Sequence, residues 1–426
     1  MGVSEYIRYK ALNGNSGGGG GDTGITANDI ATRNISGSIS GSATMIGDYA
    51  FRDCLISAAN FPNALRIGNS AFENCSALTT ISFPEATSVG FGAFRNTAIT
   101  TANFPSATTV GQYGFASCTE LTTANFPNAI SVSGSMFYGC TKLANVSFPS
   151  AISIWSGAFT NCYSLTEANF PRVQSIAQSA FLTCSNLTTA DFPSATYIGQ
   201  YAFENCSALT TINFPKATGI QGFAFGGCRG LTEVSFPSVT NIATEAFRSC
   251  SNLTTVNFPK ATSVGGSAFI GCTNLTSLSF PLLKSIGNSA FMSTNITTAN
   301  FPSVTTVYDN AFKGCTNLTE VDLPMATSVG STAFMSCTNL TTVSIPKVTS
   351  LGWSIFVNCF NLLSVYLTSV SKVPSLTVSV FKSTPIEGYT ESTGGVYGSV
   401  FVPASLYSSF IKAVNWSIIS SRIVSV

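Results

Sequence analysis

The stretch NFPKATSVGGSAFIGCTNLTSLSFP, Asn257–Pro281, decides the fold, because nearly the same line, DFPSATYIGQYAFENCSALTTINFP, stands at Asp191–Pro215. Fourteen of the seventeen prolines share this register, from Pro62 to Pro346. The steps between them are 22 residues, except for two of 21, Pro84 to Pro105 and Pro281 to Pro302. A fixed period near 22 marks a stack of like turns, so the 426 residues need not divide into the two or three domains their number would suggest. In the two short units NTAIT and STNIT replace the usual NCSALT or SCSNLT. The cysteine and one residue vanish together there, which places the cysteine in a small loop that tolerates deletion.

Within a unit the pattern assigns each residue a place. Leu78, Ile81 and Phe83 alternate as a short strand does, and Pro84 ends that strand because it has no N–H for a central ladder. Val89 begins a second extended piece, Gly90 turns the chain, and Ala93-Phe94 returns a ring to the interior. Fifteen such Phe positions recur, from Phe51 to Phe356, each after a small residue except at Met136 and Ile355. One turn cannot bury its own apolar face, so the turns fold as an array. The expected fold is a β-rich parallel solenoid of about fifteen repeats, about 70 Å long at one strand spacing per turn.

Composition excludes several functions. Net charge is +1 with 9% charged residues, too few Lys and Arg for a nucleic-acid groove. Hydrophobic residues make up 45%, yet Pro, Gly, Asn and Ser interrupt every run before about 20 residues, so no membrane insertion is expected. The sequence holds no histidine, which removes His-based triads, bases and metal sites. No cofactor, metal or catalytic residue is expected. The thirteen cysteines share one repeat position without any C-x-x-C, and their odd number argues for buried free thiols, as assembly in a reducing cytosol allows. The start MGVSEYIRYKALNGN lacks a signal-peptide core, which implies a signal-independent route to a cell or virion surface.

The pattern L-T-x-[AVI]-x-F-P-x-A-T-x-[VI]-G-x-x-A-F-x-x-C, over about 43–368, resembles the BspA-like, Treponema-type leucine-rich repeats, with Phe-Pro where Ile-Pro is more usual. The resemblance implies adhesion or protein and surface binding without catalysis. The Gly-rich start, DIATRNISGSISG and the tail VFVPASLYSSFIKAVNWSIISSRIV look similar to proteins of gut Firmicutes and their phages. We divide the chain into an anchor segment and Gly-rich linker (1–24), a lead-in (25–42), the solenoid (43–368) and a cap (369–426). In the cap, Leu406, Phe410, Val414 and Ile418 have helical spacing after Pro403, so a capping helix is expected after a strand.

Two surfaces are candidates for binding. Outward strand positions form a ladder of short polar groups: Thr101/Asn103, Thr123/Asn125, Asn145/Ser147, Glu167/Asn169, Thr189/Asp191, Thr211/Asn213 and Glu233, in which every charge is acidic. Beside the turns, where the repeat is otherwise strict, stand scattered aromatics, Tyr113, Trp155, Tyr201 and Trp353 foremost, with Tyr49, Phe91, Phe223 and Tyr308. Thr and Asn also simply suit an exposed parallel sheet, and aromatics also lean on adjacent turns, so the structural reading stays open beside the functional one. The expected partner is a cell-surface glycan or protein, with attachment to a larger assembly through the N-terminal segment. The alternative is a spacer or decoration protein without a specific ligand.

Overall fold

In the computed structural model, residues 24–25, 35–377, 379–389 and 391–426 are described. Residues 1–23 of the anchor segment and linker (1–24) and residues 26–34 of the lead-in lie outside them. The chain falls into two units, Met1–Phe214 and Pro215–Val426. Each is a parallel β-solenoid.

In the first unit every turn passes three sides. The first carries strands of three residues or more in three parallel sheets of three: Ser36–Ser40, Leu55–Asn60 and Thr80–Ser82; Thr101–Asn103, Thr123–Asn125 and Asn145–Ser147; Glu167–Asn169, Thr189–Asp191 and Thr211–Asn213. Pairing places each residue beside its counterpart one repeat away, Thr123 beside Thr101 and Asn145. The second side carries two-residue strands such as Ser153–Ile154 and Ser175–Ile176. Val89 ends one of these, Ser88–Val89, rather than beginning it, and Phe83 lies just outside the strand Thr80–Ser82.

The third side is a ladder of turns. Phe159, for example, donates its N–H to the Ala180 carbonyl at 2.7 Å and Asn161 to Leu182 at 2.9 Å, while Cys162 closes a local turn onto Phe159 at 3.1 Å. The residues two before and two after each inner Phe adopt left-handed conformations, as at Tyr113 (φ 58°), Ser117 (φ 59°) and Asn161 (φ 63°). Such residues aim successive N–H groups the same way along the stack. Asn and Ser are frequent there because their short polar side chains tolerate this conformation, and they bond between turns: Asn74 donates to Asp53 at 2.8 Å and Asn96 to Asn74 at 3.1 Å.

The core consists of stacks. Inner phenylalanines lie parallel one turn apart, Phe159 and Phe181 at 5.0 Å between centroids, and meet the Phe-Pro rings edge-on, Phe181 against Phe192 at 5.8 Å. The volume that Phe-Pro adds is thereby absorbed as ring stacking. The cysteines form the third stack. All thirteen are buried and none forms a disulfide. Each thiol shown bonded to a phenylalanine carbonyl reaches back to an earlier turn, Cys162 to Phe137 at 3.2 Å and Cys184 to Phe159 at 3.1 Å. They line the interior rather than a dispensable loop. In the two short repeats the stack is continued by Thr97 and Thr294, both buried, whose hydroxyls donate to Phe94 and Phe291 carbonyls at 2.9 and 2.8 Å. The cysteine's place is thus filled by another small donor, and only the residue after it is lost.

The second unit repeats the plan with three-residue strands Glu233–Ser235, Thr255–Asn257 and Ser277–Ser279, then a longer sheet beginning at Thr298–Asn300. That sheet continues beyond Thr368, through Ser399–Val402 to Ile423–Ser425. Phe381 stacks on Phe356 at 5.7 Å without Phe-Pro or cysteine to announce it. The capping helix is one turn, Tyr407–Phe410. Of the expected helical stripe only Phe410 is buried; Val414 is 81% and Ile418 64% exposed. Trp416 fills the space instead, donating its indole N–H to the Pro374 carbonyl at 2.7 Å. No described helix is long and apolar enough to cross a membrane.

Candidate functional site

The polar strand side of the first unit holds two adjoining concavities. One, of about 440 Å³, runs over Thr101, Asn103, Thr123, Ala124, Asn125 and Asn145–Ser147. The other, of about 400 Å³, lies between Asn145–Ser147 and Glu167–Asn169 and is rimmed by Pro149 and Pro171. They share Asn145, Val146 and Ser147, so they form one groove.

The second concavity exists because the ladder opens there. Asn145–Ser147 closes one three-stranded sheet and Glu167–Asn169 begins the next. Phe126 donates its N–H to the Ser147 carbonyl at 2.9 Å and Phe170 to Asp191 at 3.0 Å, but no bond joins Phe148 to Asn169. Phe148 and Phe170 stand 6.3 Å apart, against 5.2 Å for Phe126–Phe148 and 5.4 Å for Phe170–Phe192. The central side chains account for the opening. Val146 is half-exposed, whereas Ala124 and Ala168 are buried. The ladder also opens after half-exposed Ile81 and Leu278, each followed one turn on by an alanine, Ala102 and Ala299. At the step from Ile39 to Ala59 pairing persists only with a register shift at Gly37/Ser38. Within each unit, steps from alanine to alanine, alanine to a larger residue, or valine to valine stay closed. A branched side chain with only a methyl ahead of it loses its packing partner on that side, and the strand tilts outward.

Among the sequence candidates, Thr101, Asn103, Glu167, Asn169, Thr211 and Asn213 are exposed, while Thr123, Asn125, Thr189 and Asp191 are half-buried. Glu233 is exposed in the second unit. Some of these groups satisfy each other: Asn125 donates to Asn103 at 2.9 Å and Asn213 to Asp191 at 2.7 Å. The aromatics do not join this surface. Trp155 and Tyr308 directly follow a two-residue strand, Phe91 and Trp353 come one residue later, and Tyr49, Tyr113, Tyr201 and Phe223 occupy the left-handed position before the inner Phe. Trp155 and Trp353 are 56% and 59% exposed; Tyr113 is half-buried, edge-on to Phe91 at 5.5 Å with the Arg95 guanidinium 5.7 Å from its ring. A separate concavity of about 500 Å³ in the second unit is lined by Tyr308 together with Gly266, Ser267 and Asn288.

Alternation along the strands marks the outward polar positions and leaves Val146, Phe148, Pro149 and Pro171 unmarked as site residues. The signal was present in the central positions, as a large residue followed by alanine one turn later.

The thiols offer no reactive group. Burial pushes Cys118 up to about 11 and Cys75 up to about 12, and it raises Cys140 and Cys162 as well. A thiol that holds its proton is a poor nucleophile and a poor ligand. Among the described residues no group of three His, Cys, Asp or Glu is placed to hold a metal ion.

Solved structures similar to this chain include a leucine-rich repeat protein from Bacteroides ovatus (22% identity, 65% of this chain and 91% of that one, TM-score 0.41). Another is a leucine rich cell surface protein from Faecalibacterium prausnitzii (22% identity, 80% and 89%, TM-score 0.37). A third is the leucine rich repeat protein of T. pallidum (26% identity, 44% and 78%, TM-score 0.31). No curated protein matches the chain. Residues 44–153, 108–219, 196–319 and 284–393 each match the family described as BspA type leucine rich repeat region (6 copies). These matches span most of the sequence, and the chain belongs to the BspA-type leucine-rich repeat proteins.

Proposed function

We propose that the protein is a non-catalytic recognition module that presents the strand side of its first unit to a cell-surface glycan or protein, on a bacterial cell or a phage virion. The observation that carries this reading is the continuous groove from Thr101 to Pro171, lined largely by Thr, Asn, Ser and Glu residues and built on main-chain ladders. A face held by main-chain bonds is preorganised, so binding spends little on ordering it. Attachment to a larger assembly falls to residues 1–24, and neither nucleic acid nor a membrane interior is a partner in this reading.

The test is binding of the labelled intact protein to gut bacterial cells and to purified cell-wall polysaccharides. Saturable binding that falls when Thr101, Asn103, Thr123 and Asn125 are replaced together by alanine is the expected result. A spacer without a ligand is the second reading, favoured by the mutual bonds of Asn103 with Asn125 and of Asp191 with Asn213, which leave those groups less to offer a partner. It requires that no cell or polysaccharide be bound.

A further inference from the structure

We propose that the notch between Asn145–Ser147 and Glu167–Asn169 is a saccharide subsite, in which a ligand hydroxyl takes the place of the missing main-chain bond. The inference rests on the recognition reading above and names the ligand class for it.

The notch opens on one side only. The same two turns stay joined through Ser153–Ile154 and Ser175–Ile176, and through the Phe159 N–H to the Ala180 carbonyl at 2.7 Å. The rings behind the opening separate by about 1 Å more than their neighbours, far less than the roughly 4.8 Å an added strand needs. A peptide strand therefore cannot pair into the gap. Small groups projecting from a ligand that lies across the face can enter it.

The chemistry of the walls selects among such groups. The Phe148 N–H donates, the Glu167 carboxylate only accepts, and Asn145, Asn169 and Ser147 do both. A hydroxyl donates and accepts at once, so a polyhydroxylated ligand satisfies the whole set. Val146, Pro149 and Pro171 supply apolar rim for the C–H face of a sugar ring. Glu167 is the sole charged residue lining either concavity, and no cation lines them, which disfavours anionic polymers and suits neutral or amino sugars. The adjoining groove over Thr101–Asn125 gives a chain of sugars somewhere to continue.

The experiment titrates the full chain with soluble neutral and amino-sugar cell-wall polysaccharides by calorimetry, beside whole cells with and without protease treatment. Three variants are compared. Glu167→Gln removes the carboxylate's charge, and Ala168→Val with Ala190→Val closes the notch from inside without altering its lining. Tyr138→Ala alters an exposed side chain of the turn ladder, outside the groove and the polar strand side. Thermal melting of each variant shows that it is folded. The expected result is saturable polysaccharide binding, weakened by about tenfold or more in the first two variants and by less than about twofold in the third. Equal binding by wild type and the two notch variants overturns the subsite and leaves recognition by the strand side standing. Binding to cells that is lost on protease treatment, with no polysaccharide bound, overturns the saccharide and again leaves recognition. Binding to neither cells nor polysaccharide overturns both.

Discussion

Two steps along the same face of the first unit differ in whether the central side chain shrinks from one strand to the next. From Thr101–Asn103 through Asn145–Ser147 each strand pairs fully with the next; from Asn145–Ser147 to Glu167–Asn169, over an equal 22 residues, none does. Repeat length fixes how turns stack, and at this step a half-exposed valine precedes a buried alanine. Ala102, Ala124 and Val146 never fall in size from one turn to the next and stay paired. The fall from Val146 to Ala168 opens the ladder.

The largest expected effect tests packing on either side of that step. Phe126→Ala, within the closed ladder, should cost about 3–5 kcal/mol in urea unfolding, and Phe148→Ala about 1 kcal/mol less, because its ring already lacks a close neighbour ahead. Equal losses would mean that the opening leaves the core untouched.

Next comes pH, which acts on the cysteine stack that runs unbroken past the notch. The folded thiols of Cys75, Cys118 and Cys315 lie at about 12, 11 and 11, above the ordinary 9.0. Their contribution is complete below pH 9 and is lost as pH climbs toward those folded values, because only the unfolded chain then releases the protons. The slope is about 1.4 kcal/mol per pH unit for each thiol. Melting temperature should therefore fall steeply between pH 9 and 10.5. A flat profile there would contradict the buried, protonated stack.

A smaller effect addresses the step rule itself. Ala168→Val should move the opening one turn onward: the Phe148 amide becomes protected from hydrogen exchange, and the Phe170 amide loses its bond to Asp191. Adding Ala190→Val should close both and stabilise the unit by about 1 kcal/mol, one main-chain bond. Unchanged exchange at Phe148 in either variant would remove the central residue as the cause. The smallest effect is on the exposed pair Lys142–Glu120, at 2.7 Å between successive turns, where Glu120→Ala should cost less than about 1 kcal/mol.

The stacked architecture was legible because its signals repeat: Pro after Phe, a small residue before the inner Phe, one cysteine per turn. The three-sided course of each turn was half legible, since the third side is a ladder of left-handed residues and carries no apolar alternation to read. The end of the array was not. Phe381 and Val400 keep the interior contacts of the repeat while the residues around them lose its pattern, and the helical spacing from Leu406 to Ile418 arises in a segment whose helix ends at Phe410. At the candidate site the exposed Thr, Asn and Glu positions could be read from alternation alone. The notch could not, because it depends on a difference between neighbouring repeats rather than on what they share.

The proposed recognition by the strand side of the first unit is tested most directly by hydrogen exchange of the full chain with and without a neutral cell-wall polysaccharide of gut bacteria. Slowed exchange in the peptides covering Thr101–Asn125 and Asn145–Pro171, with none at Tyr308 or Trp353, is the expected result. Protection confined to the turns of Tyr308 and Trp353 would contradict it and move the binding surface to the aromatic side of the second unit.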